Sequence, residues 1–471
     1  MIIAIDLGTS RSRVVAGIPA PEMPYGLNVL YCGDMKSLGM KRGAVVNKDE
    51  VSKVLNNLLS GVDKRNTKKK QQKSIVLVNL GGQNFSSSSV TTAIDINGQK
   101  VSPLILQKIE SRASAKEEGI LLDENLLRMS PVGYSIDNDA YRDEALGLEA
   151  NNLEAKYTCI CGKKKAIATL NAAFPQRFAP AGVYTTASAK AGLLLTAEQR
   201  DKGVALVDLG SGTTSVAFFF HGALVYEVSI PIGSETITTD IATGLGISRD
   251  DAELIKCNFG MIDDNVAAKP YKVTMPNDEV IEFNGAKLNY IIKARVEEIG
   301  AYVYAAVKEA QRHGIHRDKY KDIRLALTGG GAKLKGINKI ISDQTEMALT
   351  NTSRPLFENV EPDEMADYAG AIGMASLWAN THKEPEEQPT LPFADNAPDE
   401  KPAAAATAQA QPAEPTPSPA PQPRTAPQPE PTAETKQQPA AEEKKKKPGF
   451  ISSVINKFSN LMDDDLNSKH E

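Results

Sequence analysis

Two short segments of the sequence, Asp6–Ser10 and Asp208–Thr214, share an order of residue types that suits phosphate binding. Each begins with Asp-Leu-Gly, follows an apolar run and precedes a second apolar stretch. Glycine and small hydroxyl residues let backbone N–H groups and hydroxyls approach phosphate oxygens closely. The candidate phosphate-binding residues are Asp6, Gly8, Thr9, Ser10, Asp208, Gly210, Ser211, Gly212, Thr213 and Thr214.

The carboxylates of Asp6 and Asp208 suggest that these residues bind a metal ion beside the phosphates of a ligand. Because Mg²⁺ keeps much of its hydration shell, each carboxylate would hold the ion through water. An ordinary glycine-containing hairpin fits either segment taken alone. The spacing of the two segments, 208 − 6 = 202 residues, is a domain length. The repetition therefore predicts two similar domains facing each other across a nucleoside triphosphate.

A third glycine-rich element, Leu325–Ile337, predicts an apolar strand, a triple-glycine turn and the start of a helix. Its candidate ligand-binding residues are Gly329, Gly330, Gly331 and Ala332. Three glycines admit a flat ligand and present a helix N-terminus to phosphate, although a flexible strand–helix turn would look the same. Further on, the small residues of Asp367–Ala375 suit either a tightly packed hinge helix or a plain helix contact.

The elements that must position these residues alternate between strand and helix. Ser74–Leu80 and Val204–Leu209 are continuous apolar runs, as expected of strands buried on both faces. Ala286–His313 has apolar residues at three- and four-residue spacing, with Gly314 as a candidate C-cap, and predicts a long amphipathic helix. The pattern predicts an α/β protein.

Composition excludes several other classes. The 54 basic and 59 acidic residues leave a net charge of −5, which argues against a nucleic-acid-binding surface. The four cysteines are too few for a disulfide scaffold, and Cys159-x-Cys161 has neither redox nor zinc spacing. The N-terminus does not resemble a signal peptide. The sequence contains no run of eighteen apolar residues that could span a membrane. We therefore expect the protein to reside in a reducing cytosol.

Together the two hairpins, the triple-glycine loop and the small-residue connector resemble the actin/DnaK/sugar-kinase superfamily. Within it, the chain resembles the bacterial FtsA cell-division family over residues 1–380 and the extreme C-terminus. The family's motif stretches are matched by Gly39–Val45, Pro131–Asp137, Gly147–Lys156 and Ser248–Lys256. The resemblance implies two ribonuclease H-like lobes that hold ATP and Mg²⁺, with Glu253 and Lys256 at the ribose.

The resemblance also implies a division into domains. The first lobe would comprise 1–74 and 165–203, with an inserted α+β subdomain at 75–164. The second lobe would be 204–380, with 236–325 as its nucleotide-capping subdomain. A disordered Pro/Ala-rich linker would follow at 381–443, because such a composition buries too little surface to offset chain entropy.

The sequence departs from the superfamily where relatives carry a water-activating acid or Gln. Tyr184 occupies that position, and no catalytic residue is identified. Since general-base assistance is worth about 10²–10⁴-fold, we expect at most a weak ATPase. No Asp suited to a sugar hydroxyl stands out either, which weakens the alternative of a sugar or metabolite kinase.

The C-terminal segment 444–471 combines four lysines with an amphipathic pattern. Seven apolar residues recur on one helical face. The segment is too short to span a bilayer, but it suits a helix that lies in the bilayer interface. Each lysine near anionic headgroups contributes about 1 kcal/mol. The alternative is a helix docked on a partner or back on the protein's own body. The candidate membrane residues are Lys444, Lys445, Lys446, Lys447, Phe450, Ile451, Val454, Ile455, Phe458, Leu461 and Met462.

The family resemblance implies partners and a location. Arg295 and Glu298 lie on the helix that would receive the FtsZ C-terminal tail, although a plain i,i+3 ion pair explains them equally well. We expect a peripheral protein on the inner face of the cell membrane at the division site. It would assemble into actin-like filaments, tether FtsZ and recruit later division proteins. A PilM-like adaptor of pilus assembly is the second alternative, although that function would not need the amphipathic C-terminus.

Overall fold

Two sheets of similar topology form the centre of the protein. The computed structural model describes residues 1–65, 74–266, 268–276, 278–313, 323–382 and Phe458. The first sheet has the strand order β10-β6-β1-β2-β3. Its strands are β1 (Ile2–Leu7), β2 (Arg11–Pro19), β3 (Leu27–Lys36), β6 (Ile75–Leu80) and β10 (Gly182–Thr185). β1 pairs antiparallel with β2 and parallel with β6, and all its residues are buried.

The second sheet has the strand order β13-β12-β11-β16, which corresponds to β3-β2-β1-β6 of the first sheet. Its strands are β11 (Val204–Leu209), β12 (Thr214–Phe220), β13 (Ala223–Ile230) and β16 (Arg324–Thr328). Asp6 lies opposite Arg13 in the first hairpin, and Asp208 lies opposite Ser215 in the second. Each residue of the second pair lies 202 positions after its equivalent in the first pair (208 − 6 and 215 − 13). The predicted repeat is therefore confirmed, including the register of the paired strands.

Helices cover both faces of the first sheet, because alternate residues of its strands point to opposite sides. Ile3 and Ile5 pack with α1 (Lys48–Arg65) on one face. Ile2 and Ala4 pack on the other face with α4 (Thr186–Leu194) and α10 (Met365–Thr381). The short strands β4 (Met40–Lys41) and β5 (Ala44–Val45) precede α1. Helix α3 (Lys164–Asn171) contacts β5, whereas α5 (Ala197–Lys202) contacts β12 of the second sheet.

Helix α10 corrects the predicted domain boundaries. It contacts β1, β2, β6 and α4, so it packs on the first lobe rather than closing a second lobe at residue 380. A Cβ at Gly373 would lie 2.1 Å from the backbone oxygen of Ala189, and one at Gly370 would lie 2.5 Å from a carboxylate oxygen of Asp6. The small residues of α10 therefore serve a close crossing with α4 beside the first hairpin, which fits both the hinge helix and the plain helix contact.

The second sheet carries its own helical layer. Val207 and Leu209 pack with Ile292 and Val296 of α8 (Gly285–Ala310), confirming the long helix as an apolar-faced element. The layer also contains α6 (Ser234–Leu245), α7 (Arg249–Phe259) and α9 (Ile337–Thr345), with the hairpin β14 (Pro270–Thr274) and β15 (Val280–Asn284) beside it. The C-cap candidate Gly314 lies outside the described residues.

A three-stranded sheet with order β7-β9-β8 forms the inserted subdomain. Its elements are β7 (Phe85–Lys100), α2 (Pro103–Glu118), β8 (Glu124–Ile136) and β9 (Glu149–Lys163). Because β6 belongs to the first sheet, this subdomain begins after residue 80 rather than at 75. Cys159 and Cys161 are buried on one face of β9, and burial raises the pKa of each thiol to about 12.

Glu227 on β13 is buried where the inserted subdomain, both lobes and α4 meet. One of its oxygens accepts hydrogen bonds from Thr185 Oγ1 (2.8 Å) and Ser188 Oγ, and its backbone N–H donates to Ser87 Oγ (3.4 Å). Its other oxygen is buried without a hydrogen-bond partner. Burial raises the pKa of Glu227 above the ordinary 4.5, against the opposing effect of the two hydroxyl donors.

We expect Glu227→Ala to destabilise the protein by about 1–3 kcal/mol, because it leaves two buried hydroxyls without their acceptor. Glu227→Gln keeps an acceptor oxygen and is the matched control, with a smaller loss. Because folding raises the pKa of this carboxyl group, its contribution to stability grows as pH falls through the folded pKa toward the ordinary 4.5. Urea unfolding should therefore show the wild type gaining on Glu227→Gln between pH 7 and pH 5. Equal stability of Glu227→Ala and wild type would contradict this assignment.

Candidate functional site

A cavity of about 500 Å³ lies where the two Asp-Leu-Gly hairpins face each other. The triple-glycine segment and α7 complete its lining. Except for Thr214 and Ala332, every residue predicted to bind phosphate or ribose lines this cavity. Thr214 is fully buried and donates to the backbone oxygen of Ile232 (2.8 Å), while Ala332 packs toward the second-lobe core. The fourteen remaining predictions converge on one place although they span more than 300 residues of sequence.

The two hairpins touch through glycine. A Cβ at Gly212 would lie 2.4 Å from Thr9 Oγ1, so only glycine fits against the opposite hairpin. Thr9 Oγ1 in turn accepts a hydrogen bond from the backbone N–H of Gly43 (3.0 Å), and Ser37 Oγ donates to the backbone oxygen of Gly8 (2.7 Å). These contacts fix the first hairpin against the segment that precedes α1.

Asp6 lies at the end of β1 in a fully buried position. Burial raises its pKa, the nearby Lys190 and Arg13 oppose that rise, and Asp208 adds to it. The backbone N–H of Leu7 donates to Asn79 Oδ1 (2.6 Å), and Asn79 Nδ2 donates to Thr186 Oγ1 (3.0 Å). Asn79 thus links the first hairpin to the start of α4 and lines the cavity. Its signal in the sequence is one amide in the apolar run of β6.

Lys190 is the main site residue that sequence reasoning missed. Its Nζ donates to both carboxylate oxygens of Asp208 at 2.8 Å, and the side chains of the pair are only 10% and 8% exposed. The residue lies on α4, which is otherwise almost wholly apolar or small, and that lone cation is the signal that could have revealed it. It brings a positive charge between the two hairpins.

The predicted Mg²⁺ site does not fit this arrangement. Both oxygens of Asp208 already accept from an ammonium group, so a cation held through this carboxylate would face Lys190 at close range. Asp6 is left beside the same lysine. The residues fit a bound anion better than a second, divalent cation.

Glu253 and Lys256 of α7 form the predicted ribose-side pair. Lys256 Nζ donates to Glu253 Oε2 (2.7 Å), to Thr238 Oγ1 (2.8 Å) and to the backbone oxygen of Ser234 (3.3 Å). Burial raises the pKa of Glu253, but hydrogen bonds from Lys256 and Thr238 outweigh it and hold the pKa below its ordinary value. The side chains are positioned on the cavity wall as an ionised pair able to bind hydroxyl groups.

The triple-glycine segment lines the same cavity. Gly329 has a φ of +88°, and a Cβ there would lie 2.5 Å from a carboxylate oxygen of Asp208. Gly330 faces open space, where a ligand can approach the backbone. The segment continues as a 3₁₀ turn (Gly330–Lys333), and α9 begins at Ile337, where the predicted element ends in the start of a helix.

Tyr184, at the position of the family's water-activating residue, does not line the cavity. It pairs along β10 with β6 and packs with the apolar cluster under α10. Burial raises the pKa of its phenol. The prediction of at most a weak ATPase stays a prediction.

Arg295 and Glu298 on α8 form the i,i+3 ion pair that the sequence allowed. Arg295 also makes a bidentate contact with Asp240 of α6 (2.5 and 3.0 Å), which the sequence did not predict. Hydrogen bonding to Asp240 raises the pKa of Arg295, against the effect of partial burial. Partner binding by the two residues stays a prediction.

Of the predicted membrane residues, all but Phe458 lie outside the described residues. Phe458 is 2% exposed and belongs to the apolar cluster of the second lobe. This burial matches the predicted alternative, in which the tail docks back on the body of the protein. Among the described residues, no helix is long and apolar enough to cross a membrane.

These features define an actin-like ATPase fold, two lobes of one topology closing over a nucleotide-sized cleft. A solved PilM-PilN type IV pilus biogenesis complex has a chain of the same fold, at 14% identity and a TM-score of 0.52. The match covers 80% of this chain and 98% of that one. At this identity the likeness establishes the fold alone.

The sequence comparisons find similarity to one family of cell-division proteins. Residues 205–373 match the family model described as cell division protein FtsA. The FtsA of Rhizobium meliloti is 26% identical over 355 residues, covering 72% of this chain and 77% of that protein. The FtsA of Pseudomonas aeruginosa is 27% identical over 345 residues, covering 71% and 79%. The chain is similar to FtsA proteins over most of its length, which confirms the resemblance and supports a role in cell division.

We expect Gly212→Ala to weaken ATP binding roughly threefold to tenfold, because the added methyl displaces Thr9 and its hydrogen bond to Gly43. Isothermal titration calorimetry would measure the change. Gly192→Ala is the matched control, since its new methyl meets only Leu377 at an ordinary 3.5 Å. Unchanged affinity in Gly212→Ala would place the phosphates elsewhere.

Proposed function

We propose that this protein is an ATP-binding, self-assembling adaptor of the division ring. It tethers FtsZ to the inner face of the cell membrane and recruits later division proteins. The observation that carries the proposal is the meeting of both Asp-Leu-Gly hairpins, the triple-glycine wall and the Glu253–Lys256 pair in one cleft of an FtsA relative.

The cleft supports the nucleotide part of the proposal. Its volume of about 500 Å³ lies within the range usual for small-molecule sites. Glycine backbones and small hydroxyls line the phosphate end, and an ionised pair lines the ribose end. Nucleotide held between two lobes can bias their relative orientation, which is how a protein without a water-activating residue can still use ATP as a conformational signal.

The tethering part rests on the C-terminal segment. Four consecutive lysines precede an apolar face of seven residues, a combination that favours the surface of an anionic bilayer. Phe458 lies among second-lobe apolar residues, so tethering requires this side chain to exchange protein contacts for lipid. The tail would then have two competing environments, the body of the protein and the membrane.

The FtsZ part rests on the α6–α8 surface. Arg295 is held by Asp240 and Glu298 yet stays partly exposed, so a carboxylate of a peptide tail can still reach it. The sequence relatives are cell division proteins, which favours this function over the PilM-like alternative. Only the shared fold supports the PilM-like alternative. No described residue suited to a sugar substrate supports the kinase alternative.

We expect deletion of residues 444–471 to release the protein from anionic liposomes while ATP binding is unchanged, because the anchor and the cleft are separate. Co-sedimentation with phosphatidylglycerol-containing vesicles would measure the first, and calorimetry the second. Deletion of linker residues 403–443 is the matched control and should keep both. Liposome binding that survives loss of the tail would refute the tether.

A further inference from the structure

Lys190 lies at the cavity wall against Asp208, one of the two carboxylates predicted to hold Mg²⁺. Its Nζ lies 2.8 Å from both carboxylate oxygens of Asp208, and both side chains are buried at the cavity wall. An ammonium group has three N–H donors, and the described contacts use two of them. The third is available to an acceptor on a ligand in the cavity.

The charges around this position explain why a cation is needed. Asp6 and Asp208 end the two strands beside the phosphate hairpins, and unopposed they would repel a polyphosphate. Arg13, the other cation near Asp6, also pairs with Asp367 of α10 at 3.4 Å. Lys190 is therefore the cation that directly neutralises Asp208, and it leaves that carboxylate no role as a ligand to a second cation.

A purely structural function for this pair is disfavoured by its location. Burying an ammonium and a carboxylate carries a desolvation penalty that good geometry only offsets, so an apolar pair would serve packing as well. This pair instead lies in the wall of the cavity of about 500 Å³, between two loops shaped for phosphate. The location favours a role toward the ligand.

We propose that Lys190 supplies the positive charge that the resemblance assigned to Mg²⁺, so that this protein binds ATP without requiring a divalent cation. The ammonium neutralises Asp208 and donates its remaining N–H to a phosphate oxygen. This inference rests on the proposed function, because it assumes that the cleft binds ATP. It makes Lys190 a nucleotide-binding residue that determines metal dependence.

Calorimetric titration of the full-length protein with ATP, in excess Mg²⁺ and in EDTA, tests the inference. The wild type should bind with affinities within about threefold of each other in the two buffers. Lys190→Met removes the charge at similar length, and its binding in EDTA should be weaker by about tenfold or more, with Mg²⁺ restoring most of the loss. Lys190→Arg keeps the charge and should retain binding in EDTA.

Lys202→Met is the matched control, because it removes a carboxylate-paired lysine from the exposed end of α5. It should follow the wild type in both buffers. Wild-type binding that needs Mg²⁺ by tenfold or more would overturn this inference and leave the proposed function intact. Absence of ATP binding in both buffers would overturn the proposed function and the inference together. The wild-type comparison requires no variant to fold.

Discussion

The buried ion pair between Lys190 and Asp208 is the interaction on which the rest of the molecule depends. It joins α4, which packs on the first sheet, to the phosphate hairpin of the second lobe. Removing one member of a buried pair costs about 3–5 kcal/mol, because the remaining charge is left without a partner. The same helix presents Ser188 to Glu227 and Ala189 to the close approach of Gly373. One short, nearly all-buried helix therefore sets the relation between the two hairpins, α10 and the inserted subdomain.

The sequence predicts the local parts of this arrangement well. The Asp-Leu-Gly repeat, the apolar strands and the triple glycine depend on local backbone chemistry, and the shared register of Asp6 and Asp208 follows from their duplication. The sequence does not predict contacts made by distant segments. Lys190 and Glu227 look like an isolated lysine and a strand glutamate until folding brings Asp208 and α4 beside them. The assignment of α10 to the second lobe failed for the same reason, since its Ala- and Gly-rich faces carry no signal of their partner.

The tail shows how one amphipathic pattern allows two structures. Spacing of the apolar residues from Phe450 to Met462 predicts a face, but a membrane and a protein groove satisfy that face equally. Phe458 is buried with the second-lobe cluster, whereas the lysines before it favour an anionic surface.

Recruitment of FtsZ to membranes tests the adaptor function most directly. Purified FtsZ is sedimented with anionic liposomes and ATP, with and without the full-length protein. We expect FtsZ to enter the pellet only when the protein is present. Arg295→Glu should reduce that fraction severalfold, because it breaks the contact with Asp240 and repels a tail carboxylate. The matched Arg312→Glu, in the exposed 3₁₀ turn that follows α8, should not. FtsZ that stays in the supernatant while the protein itself is pelleted would contradict the account.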